Sequence, residues 1–289
     1  MGRESMWINA PAKINIGLDV TGKRDDGYHE VKMIMQTLRL FDRLTLTRKK
    51  DPGVRLVTNL KFLPTDDNNL IVKSAKLMMK EFKLEGGLTI KLEKRIPVAA
   101  GLAGGSTDAA STMLAINEMF DLGMSISQLM KRGVKLGADI PYCIMKGTAL
   151  AEGIGEKLST IPKLPACTVL LIKPRLHVST KEVYSKLVLD ENTIHPDIDL
   201  MIANMKEKNI KALCENMGNI LESVTVPDHP VIANIKTFMM ENGALGSLMS
   251  GSGPTVFGIY DDKEKAEAAK KKALGEYDGS FAFVTDLYR

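Results

Sequence analysis

Cysteine is scarce in this chain: Cys143, Cys167 and Cys214 lie far apart among 289 residues. Their odd number, and the lack of any pair at metal-ligand spacing, argue against a disulfide framework or a thiolate metal site. A reducing, cytoplasmic compartment is the expectation. Histidine is equally thin, with His29, His177, His195 and His229 scattered, so no metal-ligand set is expected. Excess charge of one sign is missing too, since 39 basic residues face 35 acidic ones. There is no long basic stripe, and the cluster Arg48–Lys50 reads as a solvated turn, so nucleic acid is not implied. No run approaches the roughly 18 uninterrupted apolar residues of a membrane span. The N-terminus lacks a charged-then-apolar signal, so the expectation is a protein neither exported nor membrane-spanning. Met1–Ser5 reads as a non-essential lead-in. Repeats and low-complexity tracts are absent.

What is present suits a globular protein: 44% apolar and 26% charged residues, in a length that favours one large or two moderate domains. Ile14, Ile16 and Leu18 alternate with Asn15 and Gly17 as in a strand, broken by the turn Arg24–Gly27. Further β-like runs fill residues 31–47. Helical spacing follows over Asn68–Phe82, then a strand around Leu88, Ile90 and Leu92. Ala109, Met113, Ile116 and Phe120 predict a helix ended by Gly123, followed by a helix over Ser127–Leu136 and a β-like run at Gly147–Ala151. Prolines bracketing Ile161–Pro165 suggest a domain break, giving domains 1–162 and 163–289. The second opens with a strand at Thr168–Ile172 and continues with helices through residue 222 and over 230–242. Two short strands in Gly246–Tyr260, a charged helix Asp262–Leu274 and a strand Phe281–Thr285 close the chain. This alternation predicts an α+β sandwich in each half.

The strongest local signal is the run Pro97, Val98, Ala99, Ala100, Gly101, Leu102, Ala103, Gly104, Gly105, Ser106 and Thr107, set between a strand and a helix. Small residues let backbone approach an anion closely, and the helix behind them aims unpaired N–H groups and its positive end into the loop. Ser106 and Thr107 add hydroxyls suited to phosphate oxygens or Mg²⁺. The same run also fits a plain strand-to-helix turn with Thr107 or Asp108 as N-cap. A second match, Gly17 to Lys23, has P-loop glycine and lysine spacing. Arg24 stands where Ser or Thr would bind Mg²⁺ and no helix follows, so it is accidental.

Four weaker constellations accompany the loop. Lys13 and Asn15 share one face of the first strand, as a functional pair or a solvent-facing one. Asp139 stands in the small-residue turn Gly137–Pro141, where Asp is often only a turn residue. Tyr28 and His29, after the first turn, could stack on and hydrogen-bond a planar ring. Met249–Thr255 is a second Gly/Ser-rich turn, fit for a hairpin or for a ligand.

Together these segments resemble the GHMP kinase superfamily: Pro11–Asn15 its first motif, Pro97–Ala110 its phosphate-binding motif and Met249–Thr255 its third. The likeness spans residues 10 to about 258. Pro11–Asn15, Asp26–His29 and Gly137–Pro141 narrow it to the branch acting on 4-diphosphocytidyl-2-C-methyl-D-erythritol. The resemblance implies an S5-domain-2-like N-terminal sandwich, a ferredoxin-like C-terminal α/β sandwich and an active site between the domains. It implies transfer of the γ-phosphate of ATP, with Mg²⁺, to that substrate's 2-hydroxyl, in the non-mevalonate route to isoprenoid precursors, by a monomer or homodimer. It makes Asp139 the base, Lys13 its electrostatic partner and Asn15 an orienting group. Tyr28 and His29 become the cytosine contacts, with Thr180 and Tyr184, in Val178–Tyr184, as that pocket's second wall. Mevalonate- or homoserine-type substrates, or a non-catalytic nucleotide-binding protein, are the alternatives. One departure stands out: Ala103 and Thr107 replace the family's frequent Gly and Ser, and alanine at 103 is acceptable if its φ is negative.

Overall fold

The computed structural model describes residues 3–288. The first strand is longer and more deeply covered than alternation predicts. β1 (Ser5–Lys23) is buried at every position from Ala10 to Val20, so its polar side chains are enclosed along with its apolar ones. It pairs with β2 (His29–Lys49), and both strands contribute to two compact units. One unit holds the chain up to Ala12, Leu40–Val98 and Ala103–Met145; the other holds Lys13–Arg39, Ala99–Leu102 and everything from Lys146 onward.

In the first unit, β3 (Gly53–Thr58) runs parallel to β4 (Gly87–Glu93), which pairs antiparallel with the second half of β2. A parallel pair needs a crossover, and α1 (Leu70–Glu81) supplies it, started by the Asn69 side chain accepting from the Ile71 N–H. Leu44, Leu46, Leu88, Ile90 and Leu92 form a buried apolar sheet face. α1 packs on α2 (Gly104–Met119), which in turn meets α3 (Ile126–Gly133) and α4 (Ile140–Met145). α2 stops at Met119, ahead of the expected Gly123, because Asp121 already takes a left-handed backbone. α4 is a helix where a turn was expected: Pro141 sits in its first turn, where a missing N–H costs nothing. Two other expectations fail here. Arg3 donates its N–H to Met119 and Glu4 accepts from Arg48, so the described part of the lead-in is built into the unit; its first two residues lie outside the described ones. Arg48 is no solvated turn residue either, since its guanidinium donates to the Met119 carbonyl and lies 3.9 Å over the Phe120 ring.

In the second unit, the first half of β2 pairs with β5 (Thr148–Gly153), which pairs with β6 (Lys157–Thr160), both antiparallel. β7 (Thr168–Lys173) leads into the helices α5 (Thr180–Lys186), α6 (Ile198–Lys206), α7 (Ile210–Asn216), α8 (Glu222–Asp228) and α9 (Val231–Glu241). β8 (Gly246–Met249), β9 (Val256–Tyr260), α10 (Lys263–Glu276) and β10 (Phe281–Asp286) follow. A four-stranded antiparallel sheet in the order β10-β7-β9-β8, with α9 and α10 against it, makes the expected α/β sandwich. None of the three cysteines forms a disulfide, and burial pushes the Cys214 thiol up to about 12. Among the described residues no helix is long and apolar enough to cross a membrane.

Candidate active site

The glycine-rich run ends at an unusual helix start. Ala103 is the N-cap of α2 at φ 55° and ψ 30°, with no side-chain cap. The condition of a negative φ is not met: Ala103 takes a left-handed conformation that costs an L-residue about 1–2 kcal/mol. Thr107 and Asp108 lie inside the helix, so neither is the N-cap. The Thr107 N–H bonds the Ala103 carbonyl, leaving the amides of Gly104, Gly105 and Ser106 as the open donors at the positive end of a long helix. The Thr107 hydroxyl is fully buried without a partner. Donors without an acceptor at a helix start fit an anion such as a nucleotide phosphate.

Beneath this start lies a charge cluster that the motifs did not reveal. Lys94 is 8% exposed and donates to Asp42, at very short range, and to Asp108 at 2.8 Å. Asp42 also accepts the N–H groups of Arg95 and Ile96, at 2.6 and 2.8 Å. Burial works against the Lys94 charge, but the two carboxylates outweigh it and hold its ammonium above the ordinary lysine range. For Asp108, burial and then the neighbouring Asp42 charge outweigh the attraction of Lys94 and push its carboxyl well upward. One cation among two enclosed acids favours a proton retained on Asp108. A methyl group on Gly104 would come within 2.7 Å of the Lys94 Nζ, so the cluster sits directly against the helix start and demands glycine there. Asp42 did leave a sequence signal: it shares the alternating face of Leu40, Leu44 and Leu46, which point into the core.

Asp139 is half-buried in the turn before α4, and its carbonyl accepts the Cys143 N–H. Its carboxylate has no hydrogen bond or ion pair among the described residues.

The second unit collects the remaining candidates in a row. Lys13 and Asn15 are 5% and 0% exposed, so the solvent-facing reading fails, and Lys13 donates to the Asn15 Oδ1 at 2.7 Å. The Asn15 amide leans on the Met33 sulfur at 3.4 Å. Next to them runs the turn at Met249–Thr255: a methyl on Gly251 would stand 3.5 Å from the Asn15 Oδ1 and 3.6 Å from the Lys13 Nζ. In the same unit the Lys13 N–H bonds the Leu102 carbonyl, and Ser250 Oγ donates to the Gly101 carbonyl at 2.9 Å. Gly101, at φ +74°, approaches so closely that a methyl would meet the Ser250 carbonyl at 2.1 Å. Ser252 shares a hydrogen bond of 2.8 Å with Thr180, and one turn further along α5 Tyr184 meets the His29 ring at 5.1 Å. Partial burial, then the charge of Lys23, lowers the His29 pKa, keeping the ring neutral and able to accept as well as donate. Tyr28 is 57% exposed, its N–H held by Asp26 in a turn that Arg24 braces against Asp26 and Glu30.

The row therefore joins Lys13, Asn15, Thr180, Tyr184 and His29, while Asp139 and residues 103–107 belong to the other unit. Gly17 and Gly22 both lie within β1 and the next element is β2 rather than a helix, in keeping with an accidental P-loop match. Among the described residues no group of three or more His, Cys, Asp or Glu could hold a metal ion.

The description "GHMP kinases N terminal domain" matches residues 69–147, and "GHMP kinases C terminal" matches 201–278. The chain belongs to the GHMP kinases. The helix start at Ala103–Thr107 lies within the first match and the turn at Met249–Thr255 within the second. Among relatives in this family, the 4-diphosphocytidyl-2-C-methyl-D-erythritol kinase of Lachnospira eligens is 51% identical over 285 residues, covering 99% of either chain. A crystal structure of 4-(cytidine 5'-diphospho)-2C-methyl-D-erythritol kinase matches with a TM-score of 0.82 at 30% identity, over 97% of this chain and 99% of the other. Homoserine kinase from Cytophaga hutchinsonii, at 21% identity and a TM-score of 0.78 over 99% and 95% of the two chains, shares the fold.

Proposed function

We propose that this GHMP kinase transfers the γ-phosphate of ATP to the 2-hydroxyl of 4-diphosphocytidyl-2-C-methyl-D-erythritol, in the non-mevalonate route to isoprenoid precursors. The observation that carries the reading is 51% identity, over nearly all of both chains, to a relative bearing that substrate's name. The row in the second unit supports it, since an aromatic pair, His29 and Tyr184, lies beside polar Thr180 in line with a buried lysine. A nucleobase needs such a stacking and hydrogen-bonding surface; mevalonate and homoserine carry no base to use it.

Phosphoryl transfer asks a protein for positioning and charge stabilisation. In the proposed reaction Asp139 takes the proton of the 2-hydroxyl as its oxygen bonds to the γ-phosphorus, while the bond to the β-bridging oxygen breaks and ADP leaves. Lys13 offsets charge on the phosphoryl group, and Asn15 fixes the direction of the ammonium. The amides of Gly104–Ser106 receive the nucleotide phosphates, Ser106 and Thr107 adding hydroxyls, and Pro97–Leu102 complete the loop. Mg²⁺ would arrive on the triphosphate and neutralise its charge. Tyr28, His29, Thr180 and Tyr184 hold the cytosine end. The functional division is proposed at 162/163, with the two family matches on either side. The unbridged cysteines suit a cytoplasmic setting.

ADP release over a panel of the cytidyl substrate, mevalonate and homoserine tests the reading. Turnover with the cytidyl substrate is expected, and preference for either other alcohol overturns the assignment. Asp139→Asn should lose about 10²–10⁴ in turnover while retaining ATP binding. Near-normal turnover would remove Asp139 as the base.

A further inference from the structure

Asn219 lies outside every motif considered so far, in the segment between α7 and α8. It is 6% exposed, and its side chain bonds only to backbone. Both Nδ2 hydrogens are used, donating to the carbonyls of Met249 and Gly251 at 2.8 Å each, while Oδ1 accepts the Leu221 N–H at 3.0 Å. The residues on either side of it are anchored to β1: Leu18 donates its N–H to the Gly218 carbonyl at 2.9 Å and accepts the Ile220 N–H at 3.0 Å. One amide thus ties the strand that carries Lys13 and Asn15 to the turn that passes beside them. Two neighbours add to the hold. Glu222 accepts the Met249 N–H at 2.8 Å, and Thr225 Oγ1 donates to the Ser252 carbonyl at 3.3 Å.

The consequence follows from peptide geometry. In a trans peptide the carbonyl and the next N–H point in opposite directions. With the Gly251 carbonyl drawn to Asn219, the Ser252 N–H is turned away from it. The Ser252 N–H has no partner among the described residues, nor has that of Gly251. Gly251 is the residue whose α-carbon faces Lys13 and Asn15. Successive unpaired N–H groups around a left-handed glycine form a concavity that favours anionic oxygen, and Gly251 has φ +58°.

We infer that Asn219 is a positioning residue for phosphoryl transfer: it orients the Gly251–Ser252 peptide so that its N–H joins Lys13 in meeting an anionic oxygen of the reacting phosphate. The inference rests on the proposed kinase activity. It places Asn219 at the reacting end of the row, away from His29 and Tyr184.

The test is Asn219→Asp, which keeps size and the Oδ1 acceptor but sets a carboxylate against two carbonyls. Turnover per folded molecule should fall about 100-fold, while KM for ATP and for the cytidyl substrate changes by less than about threefold. In ligand-free protein the amide resonances of Gly251 and Ser252 should shift or broaden, with those of α10 unmoved. Turnover within about threefold of the parent, a change confined to KM, or unmoved Gly251 and Ser252 resonances would each overturn the inference. Should the aspartate not fold, Asn219→Ser, which keeps one donor, is measured the same way. If the parent protein releases no ADP with any alcohol, the kinase reading fails, and the two resonances still decide whether Asn219 sets the turn.

Discussion

Two lysines are buried to nearly the same depth and have opposite surroundings. Lys94, 8% exposed, holds two carboxylates, one of which also accepts two backbone N–H groups. Lys13, 5% exposed, holds one neutral amide oxygen and no carboxylate among the described residues. A buried ammonium needs compensation, because removing it from water costs several kcal/mol. Lys94 is compensated within its own unit and braces the start of α2. Lys13 keeps capacity for an anion from outside its immediate neighbours, which suits the proposed role of meeting a phosphate. Burial alone does not separate a lysine already neutralised within the fold from one left open to a further anion; the count of anions already present does.

That contrast can be broken by experiment. Lys94→Met should destabilise the fold by about 3–5 kcal/mol, since it strands two buried acids; urea denaturation measures it, and an unchanged midpoint would make the cluster incidental. Lys13→Met should cost about 10²–10³ in turnover, with stability unchanged or higher, because it removes a charge whose neighbours are neutral. Loss of stability comparable with that of Lys94→Met would erase the distinction. Asp108→Asn sharpens the picture through pH. A carboxyl whose folded-state pKa is raised contributes stability at low pH that drains away as pH rises from the unfolded value through the folded one. The parent should therefore lose up to about 1.4 kcal/mol per pH unit across that window. Asp108→Asn should give a flatter melting-temperature profile as pH rises above the ordinary aspartate value of about 4, and parallel profiles would show that Asp108 keeps no proton. Ala103→Gly has the smallest expected effect. It relieves a left-handed alanine worth about 1–2 kcal/mol but gains unfolded-state freedom, for a net stabilisation of about 0.5–1 kcal/mol. A lower melting temperature would point to a backbone held by Ala103's own packing.

Much of the fold was legible. The alternation of Leu88, Ile90 and Leu92, the run Thr168–Ile172 and the amphipathic helix after Asp262 all appear where periodicity places them. Errors cluster where a neighbour distant in sequence decides. Ala103 adopts positive φ at a helix start crowded by Lys94, a constraint local propensity does not contain. Arg48 reads as solvent-exposed until Met119 and Phe120 arrive. Pro141 reads as part of a turn because the helix it helps to open, Ile140–Met145, has only six residues. In the candidate site the loop could be named from its own residue types and spacing, whereas Lys13, Asn15 and Asp139 could be named only through the resemblance of their segments to the GHMP kinases. Asp42 and Asn219 could not, since a single Asp or Asn among apolar neighbours has many explanations until its partners are seen.

The linear order of residues therefore settled which chemical groups this protein possesses: a small-residue loop ahead of a helix, a lysine and an asparagine two apart on a strand, an acid in a tight turn, an aromatic beside a histidine. These follow from composition and local period, which act over a few residues. Tertiary structure alone decided which lysine is neutralised and which is left open, and which carbonyls of the Met249–Thr255 turn are drawn inward. The reason is distance. Lys94 and Asp42 are separated by 52 residues and Asn219 and Gly251 by 32, and charge and hydrogen bonding act only once the fold has brought such groups within about 3 Å.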